Sequence, residues 1–308
     1  MNDLQSEIEI KFEKGKEKNT YQRVGYKCKA DIYLGYNEES RMSMVIFENA
    51  LIDSVSSTKV IKVEKRMRKD GKISLEFELM NEGYKPIFIL FCKDIIEVCS
   101  NQVPGKAIKK AILRWNYWKH MFSAERIKKL TKKEVKGLIG ELLELERLIE
   151  EIGEKKAVSS WIGALGGHKD FELEDTWYEV KCIDESSSEV KISSLEQLES
   201  MEIGHLVIYK LNDTSSLNYY GVNLNQLVFR IVGKIENPEI KEDILIKLEN
   251  VGYEFNEGYN EYTFLVIDRC SYIVSEEFPK IRREQIDEAI GKVQYSIIIN
   301  GIKNFKEE

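Results

Sequence analysis

Histidine is almost missing from this sequence: His120, His168 and His205 are the only three in 308 residues. Chemistry built on clustered imidazoles is therefore not expected. Cysteine is scarce and scattered. Cys28, Cys92, Cys99, Cys182 and Cys270 contain no C-x2-C pair, which excludes standard zinc ribbons and a disulfide framework. Free thiols of this kind fit a reducing cytoplasm, the expected location. The chain also lacks a long apolar run. Pro86 to Cys92 is far too short to span a bilayer, and the acidic start MNDLQSEIEIKFEKGKEKN lacks the basic-then-apolar order of a signal peptide. No membrane partner is expected.

Charge is what the sequence has in plenty. Charged residues make up 32% and hydrophobic residues 43%, which suits a soluble globular protein long enough for one large domain or two ordinary ones. Acids outnumber bases 53 to 46, and the net charge of −7 excludes a uniformly basic nucleic-acid coat while leaving room for a local basic groove. Any catalysis is expected to run on carboxylates and lysines.

Residues 21–100 read as strands. YKCKADIYLGY, RMSMVIFE and TKVIKVE are rich in β-branched and aromatic residues, and Asp70-Gly71 marks a two-residue hairpin. Strict alternation follows, with Ile73, Leu75, Phe77 and Leu79 facing in and Ser74, Glu76 and Glu78 facing out. PIFILFC reads as a fully buried strand. These segments predict a β-rich N-terminal domain over 1–102.

At Val103-Pro104-Gly105 the pattern turns helical. From Lys106 to Lys136 there are eleven Lys/Arg against two acids, a local excess of nine positive charges, with Trp115, Tyr117 and Trp118 interleaved. Such a stretch could follow a phosphate backbone through Lys109, Lys110, Arg114, Lys132 and Lys133. The favoured alternative is a solvated helix whose aromatics pack on the β-rich domain. Residues 103–130 are accordingly expected to form a basic helical connector, and 131–308 a further domain.

Thr131-Lys132-Lys133-Glu134 is a capping box that starts a helix. Its apolar stripe runs Leu138, Leu142, Leu145, Ile149 and Ile152, and Gly153 closes it. At 100° per residue, Glu141 stands at the edge of that stripe, whereas Glu144 and Glu151 should point away. After a Gly-rich loop over Gly163 to Gly167, Lys169–Leu173 and Thr176–Cys182 read as a hairpin around a Glu174-Asp175 turn. SSSEVKISS and HLVIYKL read as strands. Ser194-Leu195-Glu196-Gln197 is a second capping box that predicts a helix. Helices are also expected at about 223–234 and 238–250, and strands at 261–275 and 294–299.

A Glu-x-Lys on a strand puts a carboxylate and an ammonium on one face, because strand side chains alternate. The carboxylate can hold a divalent metal while the ammonium meets a water or a phosphate oxygen. Seven [DE]-x-K matches occur, beginning at Glu9, Asp70, Glu134, Glu154, Glu179, Glu189 and Glu239. Glu179 stands out, with Asp170 across a tight hairpin and Glu141 on the preceding helix. Without further context the same residues could form a plain cross-strand ion-pair network.

GLIGELLELERLIEEIG, the W-x-G at Trp161, HKDFELEDTWYEVKC and ISSLEQL resemble a bacterial family of PD-(D/E)XK motif proteins in the restriction-endonuclease-like superfamily. The resemblance extends over most of the chain, including EEFPKI and VQYSIII near its end. It implies an α/β (α+β) fold, with a C-terminal restriction-endonuclease-like mixed sheet flanked by helices and preceded by the β-rich N-terminal domain. The family's helical Glu falls on Glu141, its motif Asp on Asp170, its strand carboxylate on Glu179 and its lysine on Lys181. Lys169 stands where a proline is usual. The polar residue of the following helix would be Gln197, although back-bonding in the capping box explains it equally well. His168 reads as a loop histidine with no chemical role.

The resemblance implies Mg²⁺ or Mn²⁺ held by Asp170, Glu179 and the Val180 carbonyl, with Lys181 orienting or helping to deprotonate a water and Glu141 steering a second metal or a water of the first. The implied activity is metal-dependent hydrolysis of DNA phosphodiesters in bacterial restriction or phage defence, a setting that comes from the resemblance alone. The implied partners are DNA, a second copy of the chain for cutting both strands, and partner proteins of a defence system. One rival keeps the fold without cleavage, as a catalytically silent nucleic-acid-binding or scaffolding subunit. Another makes the N-terminal half a protein-interaction module.

Overall fold

The structure is a computed structural model that describes residues 4–25, 29–49, 54–100, 102, 105–122 and 129–307. Cys28, the Val103-Pro104 turn and residues 123–128 of the basic stretch lie outside the described residues. The chain divides into two compact units: 1–128 with 253–255, and 129–252 with 256–308.

In the first unit, β1 (Thr20–Arg23), β2 (Asp31–Tyr36), β3 (Met42–Glu48), β4 (Ile61–Met67) and β5 (Ile73–Leu79) form an antiparallel sheet in the order β1-β2-β3-β5-β4. The hairpin expected at Asp70-Gly71 forms, but with a three-residue loop rather than two: the Arg68 N–H meets the Lys72 carbonyl at 2.9 Å around Lys69, Asp70 and Gly71, and Gly71 takes φ +81°. Alternation puts Ile32, Leu34, Met44, Ile46, Leu75 and Phe77 on one buried face. On the other face Glu78 is buried as well, held by Arg41 at 2.8 Å.

Three helices complete this unit. α1 (Leu4–Lys14) buries Leu4, Ile8 and Phe12. PIFILFC is not a strand; it opens α2 (Lys85–Ser100). A short apolar run is degenerate between a buried strand and a buried helix, and length decides between them. Here the pattern runs on past Cys92 to Ile95, Ile96 and Cys99, so buried positions recur every three or four residues through four turns.

α3 (Ala107–Trp118) follows, and the Glu48 carboxylate accepts the Ala107 and Ile108 N–H groups at its start, at 3.2 and 2.9 Å. Its aromatics pack on this unit: Trp115 meets Phe77 of β5 and Phe91 of α2, with ring centroids 5.7 and 5.6 Å apart. Arg114 points inward, contrary to its expected place on a phosphate backbone. It is buried, its Nε and Nη2 donate to Asp94 at 2.6 and 3.1 Å, and Trp118 Nε1 donates to the same carboxylate at 2.6 Å. A guanidinium spent on a buried carboxylate cannot also reach solvent. Lys109 and Lys110 of α3 stay exposed.

The second unit is built on a mixed sheet in the order β10-β11-β9-β7-β6, comprising β6 (Phe171–Glu172), β7 (Trp177–Ile183), β9 (Gly204–Thr214), β10 (Val222–Asn223) and β11 (Thr263–Val274). β7 and β9 run parallel and the other neighbours antiparallel. β8 (Glu189–Ile192) pairs instead with β12 (Tyr295–Ile298) in a separate two-stranded ribbon. α4 (Lys132–Ile152) starts at its capping box, with Thr131 and Glu134 bonding reciprocally, and packs against β7. α5 (Glu154–Ser160), α6 (Leu224–Lys234) and α7 (Pro238–Asn250) complete the helical layer. The helices and strands expected in 223–299 are present. Among the described residues no helix is long and apolar enough to cross a membrane.

Two expectations fail here for physical reasons. α4 contacts β7 on one side and α5 and α6 on others, so its buried arc is wider than a single stripe. Glu144, expected to face away, is fully buried. Ser194–Gln197 opens no helix, only a single 3-10 turn over Leu195–Gln197. Ser194 makes no side-chain cap bond, and the Gln197 side-chain oxygen accepts the Ser193 N–H at 2.7 Å rather than the Ser194 N–H that a capping box requires. Lys169 Nζ donates to the carbonyls of Glu196 and Glu199.

Asp94→Ala should remove the buried carboxylate that accepts from both Arg114 and Trp118 and cost roughly 3–5 kcal/mol. Urea unfolding of the full chain checks this, and an unchanged midpoint would mean that the pair does not anchor α3.

Candidate active site

The hairpin that carries the motif is short and closes tightly. Phe171 pairs with Tyr178 and Glu172 with Trp177, and the Leu173 N–H meets the Thr176 carbonyl at 2.8 Å. Asp170 immediately precedes β6, and its Oδ2 accepts the Val180 N–H at 2.7 Å. The period of two then puts Glu179 and Lys181 on one face of β7. Lys181 Nζ donates to Glu179 Oε1, while Glu179 Oε2 is buried without a hydrogen-bond partner. Glu179 is 1% exposed, so that bare oxygen is out of reach of bulk water.

The Gly-rich loop backs Asp170. The Gly163 N–H donates to the Asp170 carbonyl at 3.0 Å, and a Cβ on Gly163 would lie only 3.0 Å from both Asp170 Cα and Oδ1. A second glycine brings in the helix. A Cβ on Gly140 would sit 2.2 Å from Cys182 Sγ and 3.4 Å from Val180 Cγ1, so α4 can approach β7 this closely only with glycine there. Glu141 follows directly, and its Oε2 accepts the Trp161 Nε1–H at 2.9 Å. Trp161 bridges to Phe171 of β6, which links the W-x-G segment, α4 and the motif hairpin.

Negative charge exceeds its compensation in this cluster. Burial pushes the Glu179 carboxyl up to about 8, and the neighbouring Asp170 charge adds to the rise against the opposing effect of Lys181. Burial and Asp170 likewise raise Glu141 to about 8, against the Trp161 hydrogen bond. Asp170 is itself raised, chiefly by burial, with Lys181 and the Val180 N–H pulling the other way. Burial works against the Lys181 charge, but Glu179 and Asp170 outweigh it and hold the ammonium above its ordinary value. Three carboxylates thus share one permanent cation in a dry setting, where unbalanced charge is costly.

The donor chemistry fits a hard divalent cation: two carboxylates, one of them with a bare buried oxygen, beside a strand carbonyl. Among the described residues no three His, Cys, Asp or Glu side chains form a ready-made metal cage. The fit therefore rests on Asp170, Glu179 and the Val180 carbonyl rather than on a third side chain.

Of the residues predicted from sequence, Glu141, Asp170, Glu179, Val180 and Lys181 are linked through these contacts. Gln197 is occupied by the Ser193 N–H. Lys132 and Lys133 are exposed in the first turn of α4, Lys132 pairing with Asp213 at 2.8 Å. His168 is exposed. Sequence reasoning missed two supports. The role of Trp161 was hinted at only by the W-x-G. Lys169, at the usual proline position, is buried with its ammonium 3.9 Å from the centre of the Trp177 ring, and burial lowers it to about 8.

A family model described as "Putative PD-(D/E)XK family member (DUF4420)" matches residues 6–300. No curated protein and no solved structure matches the chain.

Two expectations test this geometry. Gly140→Ala should cost about 1–3 kcal/mol by overpacking against Cys182, and Cys182→Ala in the same chain should recover most of the loss in a thermal melt; no recovery would place the clash elsewhere. The second concerns pH. A carboxyl raised from 4.5 to about 8 by folding destabilises the native state increasingly as pH climbs through that window. Glu179→Gln should therefore change the melting temperature little at pH 5 and raise it by roughly a few degrees at pH 8. An equal effect at both pH values would contradict the raised carboxyl.

Proposed function

The chain belongs to the family described as putative PD-(D/E)XK members, whose model covers residues 6–300, and from that premise we propose that its second unit is a metal-dependent nuclease that hydrolyses DNA phosphodiesters. The observation that carries the reading is the bare, buried Glu179 Oε2, on a carboxylate already bonded to Lys181 and facing Asp170. Buried acceptors are normally satisfied, so a bare oxygen on a carboxylate already paired with a lysine favours a group kept available for a ligand.

Mg²⁺ or Mn²⁺ would be held by Asp170, Glu179 and the Val180 carbonyl. A strand residue sends its N–H and C=O to the same edge, and the Val180 N–H already points to Asp170. When bound, such an ion makes water a nucleophile at neutral pH and screens charge on the scissile phosphate.

The remaining work falls to this chain's own groups. Lys181, held charged by Glu179 and Asp170, is a hydrogen-bond donor rather than a base. It would orient the attacking water and stabilise negative charge on a non-bridging phosphate oxygen. Glu141, raised to about 8 and still partly exposed, is suited to accept a proton from water. Trp161 holds the carboxylate toward the site. Attack of the water oxygen would form a new bond to phosphorus as the P–O bond to the leaving sugar oxygen breaks. The water proton would pass to a carboxylate of this cluster, and the departing sugar oxygen would take its proton from solvent water.

The exposed lysines at the start of α4, Lys132 and Lys133, are candidates for phosphate contacts, as are Lys109 and Lys110 on α3. One such site cuts one strand, so a homodimer is the expected form for duplex cleavage. The setting carried over from the resemblance is bacterial restriction or phage defence, with partner proteins.

With Mn²⁺ and varied DNA and RNA substrates, the wild type should nick or cut DNA, and Asp170→Ala, Glu179→Ala and Lys181→Ala should each lower the rate by at least about 100-fold while the fold is retained by circular dichroism. Mn²⁺ should also raise the melting temperature of the wild type and not that of the Asp170→Ala chain. Cleavage no greater than that of the triple variant would overturn the catalytic reading in favour of the silent nucleic-acid-binding subunit.

A further inference from the structure

The turn between β9 and β10 exposes side chains that a solvated loop has no reason to carry. Leu217 is 93% exposed, Tyr219 92% and Tyr220 77%. The turn is nevertheless well built. Asn218 Nδ2 donates to Thr214 Oγ1 at 2.9 Å, its Oδ1 accepts the Tyr220 N–H at 3.0 Å, and its carbonyl accepts the Gly221 N–H at 3.0 Å. A Cβ on Gly221 would lie 2.5 Å from Thr263 Cγ2, so the turn is pinned against the start of β11. The two tyrosine rings meet edge to face, with centroids 5.3 Å apart. A hydrogen-bonded turn is holding one leucine and two tyrosines out into water.

Positive charge flanks this wedge. Lys132 Nζ reaches Asp213, one residue before Thr214, at 2.8 Å. Lys132 and Lys136 lie 6.0 and 5.7 Å from the centre of the Phe264 ring, and Phe264 pairs with both Asp213 of β9 and Val222 of β10. Lys133 is exposed in the same turn of α4. The Lys132–Asp213 pair is solvent-exposed and weak, so a phosphate could replace Asp213 at little cost. Exposed aromatic rings on a turn whose neighbouring strand ends meet surface lysines suit a nucleic-acid strand, with lysines following phosphates while rings stack on bases. A leucine exposed in the same turn suits an opened base step.

The strand itself sets the distance to the candidate site. Ile208 of β9 lies beside Lys181 in the parallel register. Thr214 is six residues further along β9, or about 20 Å at the usual rise per strand residue. That length corresponds to about six base steps of a duplex.

We infer that Leu217, Tyr219 and Tyr220, together with Lys132 and Lys133, form a base-stacking contact for the unpaired or opened part of a DNA strand, about 20 Å from Lys181 along β9. The inference rests on the proposed nuclease function only for the identity of the ligand.

The test measures binding without cleavage, using the full chain in EDTA and labelled single-stranded and duplex oligonucleotides. Y219A/Y220A should weaken single-strand binding by about tenfold or more, with an unchanged dependence on salt. Y219F/Y220F should bind like the wild type, because stacking is kept. K132A/K133A should instead flatten the slope of log affinity against log salt by about one to two. Wild-type affinity in Y219A/Y220A, or no binding by the wild type at all, would overturn the inference. So would a shift from dimer to monomer in sedimentation of that variant with its DNA affinity intact, which would assign the wedge to a second copy of the chain. A wild type that binds through the tyrosines but never cuts would overturn the nuclease reading and leave this one standing.

Discussion

The second unit is organised around a carboxylate that burial penalises. Glu179 is buried on β7, one oxygen held by Lys181 and the other bare, with Asp170 beside it. Such a group raises the free energy of the folded state, so the surroundings must be rigid enough to hold it. Gly163 closes on Asp170 from behind, and Gly140 lets α4 come against β7 near enough to bring Glu141 in. Trp161 fixes Glu141 and is itself bridged to the motif hairpin. Each of these features has a modest structural reason alone; together they maintain a concentration of negative charge that the protein leaves under-compensated.

The parts of this arrangement that the sequence revealed were local. Hairpin signals, the capping box at Thr131 and the alternation on β5 and β7 follow from neighbouring residues, and the structure agrees with them. The spacing of Asp170, Glu179 and Lys181 is local too, because one tight turn relates them. What could not be read depended on partners distant in sequence. PIFILFC looked like a strand because its seven residues do not reveal the continuing helical period, which needs the residues after Cys92. Ser194–Gln197 has the residues of a helix start, yet Ser194 makes no cap bond and Gln197 turns back to the Ser193 N–H. Arg114 belonged to a basic run by counting, but its role was decided by Asp94, twenty residues earlier.

Lys169 shows how a departure from a motif can be absorbed. Where a rigid proline is usual, this chain places a long cation, and that cation is buried against Trp177 with its ammonium on backbone carbonyls. A proline would stiffen the approach to Asp170 by fixing φ. Lys169 can stiffen it by tying the same point to the 195–199 turn, replacing a covalent constraint with hydrogen bonds. The substitution therefore costs the site none of its acidic or basic groups, and it ties the approach to Asp170 to the turn after β8.

Two carboxylates of α4, Glu144 fully buried and Glu141 partly exposed, separate structure from chemistry within one helix. Glu141 and Glu144 are one turn apart and face neighbouring parts of the same packed interior. Burial alone would raise both. Glu144 is nevertheless held below its ordinary range, because Arg269 donates to it through Nε and Nη2, both at 2.8 Å, with Arg147 and the Tyr209 hydroxyl adding further donors at 2.9 Å. Glu141 has one hydrogen bond, from the Trp161 indole, and the Lys181 charge against burial and the repulsion of Asp170 and Glu179, and it is raised to about 8. The protein thus has the means to satisfy a buried glutamate on this helix, and it uses them one turn away. The under-satisfaction of Glu141 is local and selective, which is the pattern expected where charge is kept available for a ligand rather than spent on stability.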